Sequence, residues 1–164
     1  MIKVIDNLFQ DKDYLDLINN RFIELDYKLQ SSRNDCVNDL TLWNFLYSEL
    51  NPASYEFLLY KIKNLDFLNI ESINRIYANG NFATEWAGGR WHTDDGDITA
   101  LFYPCEWDIK NGGGTSFKDG TTVDYVQNRL LLFDADMEHK ADSHSADAIR
   151  YTIAIKMNAN WVLQ

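Results

Sequence analysis

The second half of the chain is a succession of short apolar segments separated by turn-forming residues, and this pattern limits the fold most. From about residue 70 onward, stretches rich in Gly, Asn and Asp separate the segments SINRIYA, ITALFY, TSF, TTVDYV, RLLLF and RYTIAIKM. Short segments rich in branched and aromatic side chains and bounded by turns are typical of antiparallel strands. We therefore predict roughly six to eight short strands that form a sheet sandwich or barrel.

The last long segment, residues 150–157, indicates which face of the predicted sheet lines a cavity. Polar or small side chains alternate along it with apolar ones. Because successive side chains of a strand point to opposite faces of the sheet, we expect one apolar face under the N-terminal helices and one face lining a cavity. The cavity set is Arg150, Thr152, Ala154 and Lys156, and the apolar set is Tyr151, Ile153, Ile155 and Met157.

The first half of the chain predicts helices rather than strands, apart from a short strand at residues 2–5. Apolar residues recur at helical spacing after Asp11, which suits an N-cap, and again between residues 40 and 50. Asn51 and Pro52 then suit the start of a third helix over 52–64. At 164 residues the chain has the length of one domain. We expect residues 1–66 to be a mainly helical support and residues 70–164 to be the strand-rich core.

Charge and composition exclude several functional classes. The net charge is −10, and no cluster of Lys and Arg interrupts the acidic excess, so a nucleic-acid partner is not expected. No apolar run is long enough to span a membrane, and the N-terminal residues lack the features of a secretory signal. Cys36 and Cys105 are isolated and are predicted to be reduced thiols in a cytoplasmic protein.

Three residues predict a metal centre. His92 and Asp94 are two positions apart, so on a strand the imidazole and the carboxylate point to the same face. His139, just after the segment RLLLF, supplies a third ligand. Two imidazoles and one carboxylate on one face of a metal leave three coordination positions open, the arrangement of non-haem Fe(II) oxygen chemistry.

The residues alone leave alternatives open for two of these ligands. His144 is the alternative to His139, although it lies in the polar loop DSHSAD. Asp95 and Asp97 are alternatives to Asp94, although Asp95 would face the other side of a strand and Asp97 follows Gly96. Arg150, on the cavity face of the last strand, is suited to bind a ligand carboxylate through its planar guanidinium.

The stretch from Ile76 to Met157 resembles the catalytic core of the Fe(II)/2-oxoglutarate-dependent oxygenases. Within them it is most similar to the prolyl 4-hydroxylase-like group, including small phage-encoded members. The resemblance implies an α+β fold, in which a double-stranded β-helix, or jelly roll, has supporting N-terminal helices packed on one sheet. It also implies a single dioxygenase domain over residues 1–164. The segments that carry it are RIYANG, GRWHTDDGD, ITALFYP, EWDIKNGGGTSF, NRLLLFDADMEHKA and AIRYTIAIK.

The resemblance implies a role for each site residue. His92, Asp94 and His139 would bind Fe(II), and the carboxylate at position 94 implies hydroxylation or another oxidation rather than halogenation. Arg150 stands where the prolyl hydroxylases proper often have Lys, and it would bind the distal carboxylate of 2-oxoglutarate. The Tyr77 hydroxyl near that carboxylate and the Thr115 hydroxyl would add hydrogen bonds to the co-substrate.

The resemblance also implies the reaction and the partners. The expected cofactors are Fe(II), 2-oxoglutarate and O2, with ascorbate as a further one, and the expected reaction is hydroxylation of a C–H bond. Peptidyl proline is the first substrate class. A free amino acid or another small molecule is the alternative substrate, and a metal- or ligand-binding jelly roll without catalysis is the alternative function. The oligomeric state is open, and a phage-encoded member would work in the cytoplasm of the host cell.

Overall fold

Ten β-strands and the α-helix Glu56–Lys63 (α1) account for most of the chain that the computed structural model describes. The described residues are 1–12, 15, 25, 28–32, 43–83 and 89–162. The strands are β1 (Ile2–Ile5), β2 (Lys28–Ser32), β3 (Trp43–Glu49), β4 (Leu68–Asn81), β5 (Ile98–Tyr103), β6 (Thr115–Phe117), β7 (Thr122–Val123), β8 (Arg129–Asp134), β9 (His139–Ala141) and β10 (Arg150–Trp161).

The strands form two antiparallel sheets. The large sheet has the order β1-β8-β5-β10-β4-β3-β2, and the small sheet has the order β7-β6-β9. Neighbouring strands pair antiparallel throughout, and most of them are far apart in the sequence. The predicted jelly-roll class is confirmed, with the large sheet supported by α1 on one side.

Alternation along the central strands of the large sheet divides the core into two layers. On β8, Leu130 and Leu132 join the cluster on the helix side, whereas Leu131 and Phe133 join the cluster that faces the small sheet. β5 and β10 alternate in the same way, since side chains on a strand have a period of two. On β10, Ile153, Ile155 and Met157 lie on the helix side, as the sequence predicts.

The helix predicted over 52–64 is confirmed. Its first turn is a 3-10 helix at Pro52–Tyr55, and α1 follows directly. Leu58, Leu59 and Ile62 are buried against the large sheet. Burying a side chain of this size contributes about 1.5–3 kcal/mol, so this short helix is held by packing more than by its own propensity. Within the described ranges, no helix has the length and apolar character needed to cross a bilayer.

The helix predicted between residues 40 and 50 is wrong, because Trp43–Glu49 forms the strand β3. The segment WNFLYSE is rich in aromatic residues, which favour strands, and its apolar spacing fits both periods. Pairing with β4, from Phe45 opposite Asn81 to Glu49 opposite Tyr77, stabilises the strand. The helix predicted after Asp11 falls largely on residues outside the described ranges.

Strand β4 extends further than the sequence predicts. The run NGN predicts a loop at residues 79–81, yet these residues pair with β10 as far as Asn81 opposite Arg150. Gly80 permits this pairing, because a Cβ atom there would lie 2.8 Å from the Tyr151 ring and 2.9 Å from Ile149. The extension places Asn79 and Asn81 on the wall of the cavity described below.

Candidate active site

A cavity of about 590 Å³ lies between the two sheets. This volume is in the range of small-molecule sites. β4 and β10 of the large sheet and β6 and β9 of the small sheet line it, together with the segment around His92. The cavity face predicted for the last strand is confirmed, since Arg150, Thr152, Ala154 and Lys156 all line this cavity.

The structure brings His92, Asp94 and His139 together at one side of the cavity. One ligand atom from each of the three lies within 4.8 Å of the other two. Asp94 Oδ1 is 3.8 Å from His92 Nε2, and Asp94 Oδ2 is 3.3 Å from His139 Nε2. His92 and His139 form an isolated antiparallel bridge, whereas Asp94 lies outside any strand. The convergence therefore comes from the bridge between the two histidines rather than from a strand through all three residues.

The backbone sets the tautomer of both histidines. The Nδ1 atom of His92 lies 2.8 Å from the Arg90 carbonyl, and that of His139 lies 2.9 Å from the Met137 carbonyl. Because a carbonyl oxygen only accepts, Nδ1 must donate in both rings, so the neutral form of each ring has its lone pair on Nε2. Burial lowers the pKa of His92, which favours the neutral imidazole that a metal requires.

Asp94 is held as a carboxylate by three side chains. Thr99 Oγ1 donates to Asp94 Oδ2 at 2.7 Å, and the Lys156 ammonium donates to the same oxygen. Burial alone would raise the pKa of Asp94, but the contacts with His139 and Lys156 outweigh it and hold the pKa below its ordinary range. Sequence reasoning did not identify Thr99 or Lys156 as neighbours of the metal ligand, because neither is near Asp94 in a recognisable motif.

The three alternative ligands make other contacts. His144 is buried, and its Nε2 donates to the Asn81 carbonyl at 2.9 Å. Asp95 pairs with Arg75 at 2.9 Å. Asp97 accepts from the Ala159 amide at 3.1 Å. Among the residues that the structure describes, the group that could hold a metal is His92, Asp94 and His139.

Arg150 lies at the other end of the cavity in a rigid cradle. Its guanidinium donates to the carbonyls of Gly113 and Gly114 and, at 3.1 Å, to Asn81 Oδ1. The rings of Tyr103 and Tyr125 lie 5.7 and 5.3 Å from the guanidinium carbon. A guanidinium has five N–H donors, of which these contacts use three. One N–H on each terminal nitrogen is thus left for a bidentate carboxylate.

Two buried polar atoms on β4, one of them in Asn81 opposite Arg150, indicate that a ligand belongs in the cavity. Within the part of the chain that the structure describes, Asn81 Nδ2 and Asn79 Oδ1 have no hydrogen-bond partner, although both residues line the cavity. A buried polar atom without a partner costs about 1–3 kcal/mol, so such atoms are rare unless a ligand or water satisfies them. Asn81 Nδ2 is a donor next to the spare donors of Arg150, which suits an anion. Sequence reasoning missed Asn81, because its position depends on the register between β4 and β10.

The two remaining residues assigned from the sequence lie in different parts of the cavity. Thr115 is buried at the start of β6, and its hydroxyl lies 2.8 Å from the Tyr103 hydroxyl, beside the Arg150 end. Tyr77 pairs with Ala154, four positions along β10 from Arg150. Its ring lies 5.7 Å from Lys156 Nζ, on the metal side of the cavity. The contacts of Tyr77 and Thr115 with a co-substrate stay predictions.

Comparison with solved structures finds similar folds at low sequence identity. A prolyl hydroxylase from Trichoplax adhaerens, in complex with a hypoxia inducible factor peptide fragment, has a TM-score of 0.65 and 14% identity over 96% of this chain and 83% of its own. A Pseudomonas putida prolyl-4-hydroxylase has a TM-score of 0.62 and 16% identity over 99% and 92%. The epimerase SnoN from nogalamycin biosynthesis, named as non-heme and alpha ketoglutarate dependent, has a TM-score of 0.69 and 12% identity over 99% and 81%.

The chain has the fold of the 2-oxoglutarate- and Fe(II)-dependent oxygenases. No family model and no curated protein sequence matches it. Because the similar structures include both hydroxylases and an epimerase, this fold does not determine the reaction. The function must therefore be inferred from the site itself.

Proposed function

We propose that this protein is an Fe(II)- and 2-oxoglutarate-dependent dioxygenase that hydroxylates a C–H bond. One observation carries the proposal: a single cavity has two imidazoles and a carboxylate at one end and a guanidinium with spare donors at the other. The first group suits Fe(II), and the second suits a carboxylate. A small dicarboxylate bound between them would contact both ends.

Each residue of the site has a distinct task in this reaction. When bound, Fe(II) with 2-oxoglutarate and O2 would supply the oxidant for the C–H bond. His92, Asp94 and His139 would hold the metal through three positions and leave the others open. The two backbone contacts at Nδ1 keep both imidazoles oriented with Nε2 toward the metal.

The Arg150 end of the cavity would orient the co-substrate. Arg150 is almost completely buried and is held by two backbone carbonyls and Asn81 Oδ1 near two tyrosine rings, so its two unused N–H groups are left for a ligand. Asn81 Nδ2 would donate to the same carboxylate. Because Arg150 and Thr115 are almost completely buried, the charged contacts at this end are screened less than at the surface.

Two substrate classes have support. The prolyl hydroxylases among the similar structures, one of them with a bound peptide, favour peptidyl proline. The cavity lining favours a substrate with a carboxylate, such as a free amino acid. Arg75 and Lys156 lie opposite each other in β4 and β10 on the metal side, and each has N–H donors beyond those that Asp95 and Asp94 use. We propose peptidyl proline first and a carboxylate-bearing small molecule second.

Conversion of 2-oxoglutarate to succinate tests the reaction, and a mass shift of one oxygen atom in a substrate panel tests the substrate. The panel contains proline peptides with blocked ends and free amino acids with their amides. We expect Fe(II)-dependent succinate formation that Asp94→Asn abolishes and Asp136→Asn, a change at an exposed turn, leaves intact. No turnover with any panel member would contradict the oxygenase proposal. Turnover that survives His92→Ala would contradict the assigned ligands.

A further inference from the structure

Lys156 contacts the metal-ligand candidate Asp94 from the wall of the cavity. Its Nζ atom donates to Asp94 Oδ2 and, at 3.2 Å, to Thr99 Oγ1. The residue is 1% exposed, although it lines the cavity. An ammonium has three N–H donors, so these two acceptors leave one for a ligand.

A cation at this position acts on the site in two opposite directions. It repels a divalent metal ion held by Asp94, and it attracts an anion that binds in the open positions of that metal. Burial makes both effects larger than at a surface, because water screens them less. Thr99 offers a natural comparison, since its hydroxyl donates to the same oxygen without a net charge.

We propose that Lys156 is a positioning residue that weakens divalent-metal binding at His92, Asp94 and His139 and strengthens binding of the 2-oxoglutarate dianion. This inference rests on the proposed function for the identity of the metal and the anion. It differs from a purely structural role, in which Lys156 only satisfies the buried carboxylate of Asp94 and helps to hold it in place. When the charge of Lys156 is removed, the proposed role predicts tighter metal binding and the structural role predicts weaker metal binding.

The test measures binding rather than turnover. Co(II) and Mn(II) are titrated into metal-free protein by calorimetry, and 2-oxoglutarate is then titrated into the Co(II) form. We expect Lys156→Met to bind either metal about tenfold more tightly and 2-oxoglutarate about tenfold more weakly. Lys156→Arg keeps the charge and should stay within about threefold of the parent in both affinities. Thr99→Val should weaken metal binding, because it removes an oriented donor and no charge.

Lys63→Met is the control, because it removes a lysine charge from the exposed end of α1. A Lys156→Met variant that binds metal more weakly, as Thr99→Val does, would overturn the proposal in favour of the structural role. Unchanged affinities would also overturn it. Lys156→Gln serves as a second neutral variant. If Lys156→Met and Lys156→Gln both lose the native circular dichroism spectrum, the ammonium is required for folding and the proposal is refuted. A parent protein that binds neither metal contradicts the proposed function instead.

Discussion

His92 and His139 exchange both of their backbone hydrogen bonds. The His92 amide donates to the His139 carbonyl at 3.0 Å, and the His139 amide donates back at 2.9 Å. Their ring centroids lie 4.4 Å apart, and both Nε2 atoms are close to the carboxylate of Asp94. A segment that precedes β5 is thereby joined to the small sheet at the point where three metal-binding side chains meet.

This bridge predicts that a divalent metal stabilises the fold. A metal that binds the folded but not the unfolded chain adds about 2.7 kcal/mol at a hundred times its dissociation constant. We expect Co(II) or Mn(II) to raise the midpoint of thermal unfolding and EDTA to reverse the rise. His92→Ala should lose most of the shift, whereas Asp136→Asn should keep it. An equal shift in His92→Ala would place the metal elsewhere.

The Arg150 cradle predicts how 2-oxoglutarate binding responds to substitution. Arg150→Lys keeps the charge but loses the planar fork, so we expect at least about a tenfold loss of affinity for 2-oxoglutarate. Asn81→Ala removes one neutral donor and should cost about 1 kcal/mol. Asn81→Asp should cost more than Asn81→Ala, because a carboxylate would compete with the ligand for Arg150.

Calorimetric titration of 2-oxoglutarate into the Co(II) form measures these three affinities. Asn69→Ala, at an exposed position of β4, is the control and should bind like the parent. If Asn81→Asp binds as well as the parent, the co-substrate carboxylate does not lie beside Asn81.

The close approach at Gly80 predicts a packing penalty. Gly80→Ala would place a methyl group 2.8 Å from the Tyr151 ring, so the ring must move. We expect a loss of about 1–3 kcal/mol in the free energy of unfolding, typical of overpacking. Urea denaturation measures it, and the double variant with Tyr151→Leu should show a smaller penalty than Gly80→Ala alone. Additive losses would mean that the two side chains do not compete for space.

The ion pair between Asp6 and Arg129 predicts a pH-dependent contribution to stability. Arg129 donates to both oxygens of Asp6, at 2.6 and 3.0 Å, and these bonds lower the pKa of Asp6 from its ordinary value of 3.8. The unfolded chain then binds this proton more readily than the folded chain does. The contribution of the ion pair to the free energy of unfolding is therefore complete above the ordinary pKa of Asp6, and it is lost as the pH falls through the lower pKa of the folded protein.

Because Asp6 is half exposed, the contribution is small, about 0.5 kcal/mol. Denaturation of Asp6→Asn and of the parent across the acid range checks it. The difference between them should be present near neutral pH and disappear in strong acid. A difference that stays constant with pH would exclude the ion pair as its cause.

The cavity face of β10 was predictable because it depends on a local pattern. The sequence also predicted that His92, Asp94 and His139 converge, but in the structure this depends on the bridge between the two histidines and not on a strand through His92 and Asp94. Alternation along Arg150, Thr152, Ala154 and Lys156 is a property of one strand and can be read without knowledge of its neighbours. The prediction of supporting helices was correct for α1 and wrong for β3. The apolar residues of β3 fit the period of a helix and that of a strand equally well, and pairing with β4 stabilises the strand.

The residues that the sequence did not reveal depend on long-range register. Asn81 lies beside Arg150 only because β4 and β10 pair at that point, 69 residues apart in the chain. Gly113 and Gly114 have no sequence signature for contact with Arg150, yet their carbonyls accept from its guanidinium. Lys156 and Asp94 are 62 residues apart in the sequence, and no motif links them.

The most direct test of the dioxygenase proposal follows oxygen atoms. The protein is incubated with Fe(II), 2-oxoglutarate and isotopically labelled O2, and the succinate formed is analysed by mass spectrometry. One labelled oxygen atom in succinate, absent in Asp94→Asn and retained in Asp136→Asn, is the result expected of the His92, Asp94 and His139 site. Succinate that forms without the label, or that forms equally well in Asp94→Asn, would contradict it.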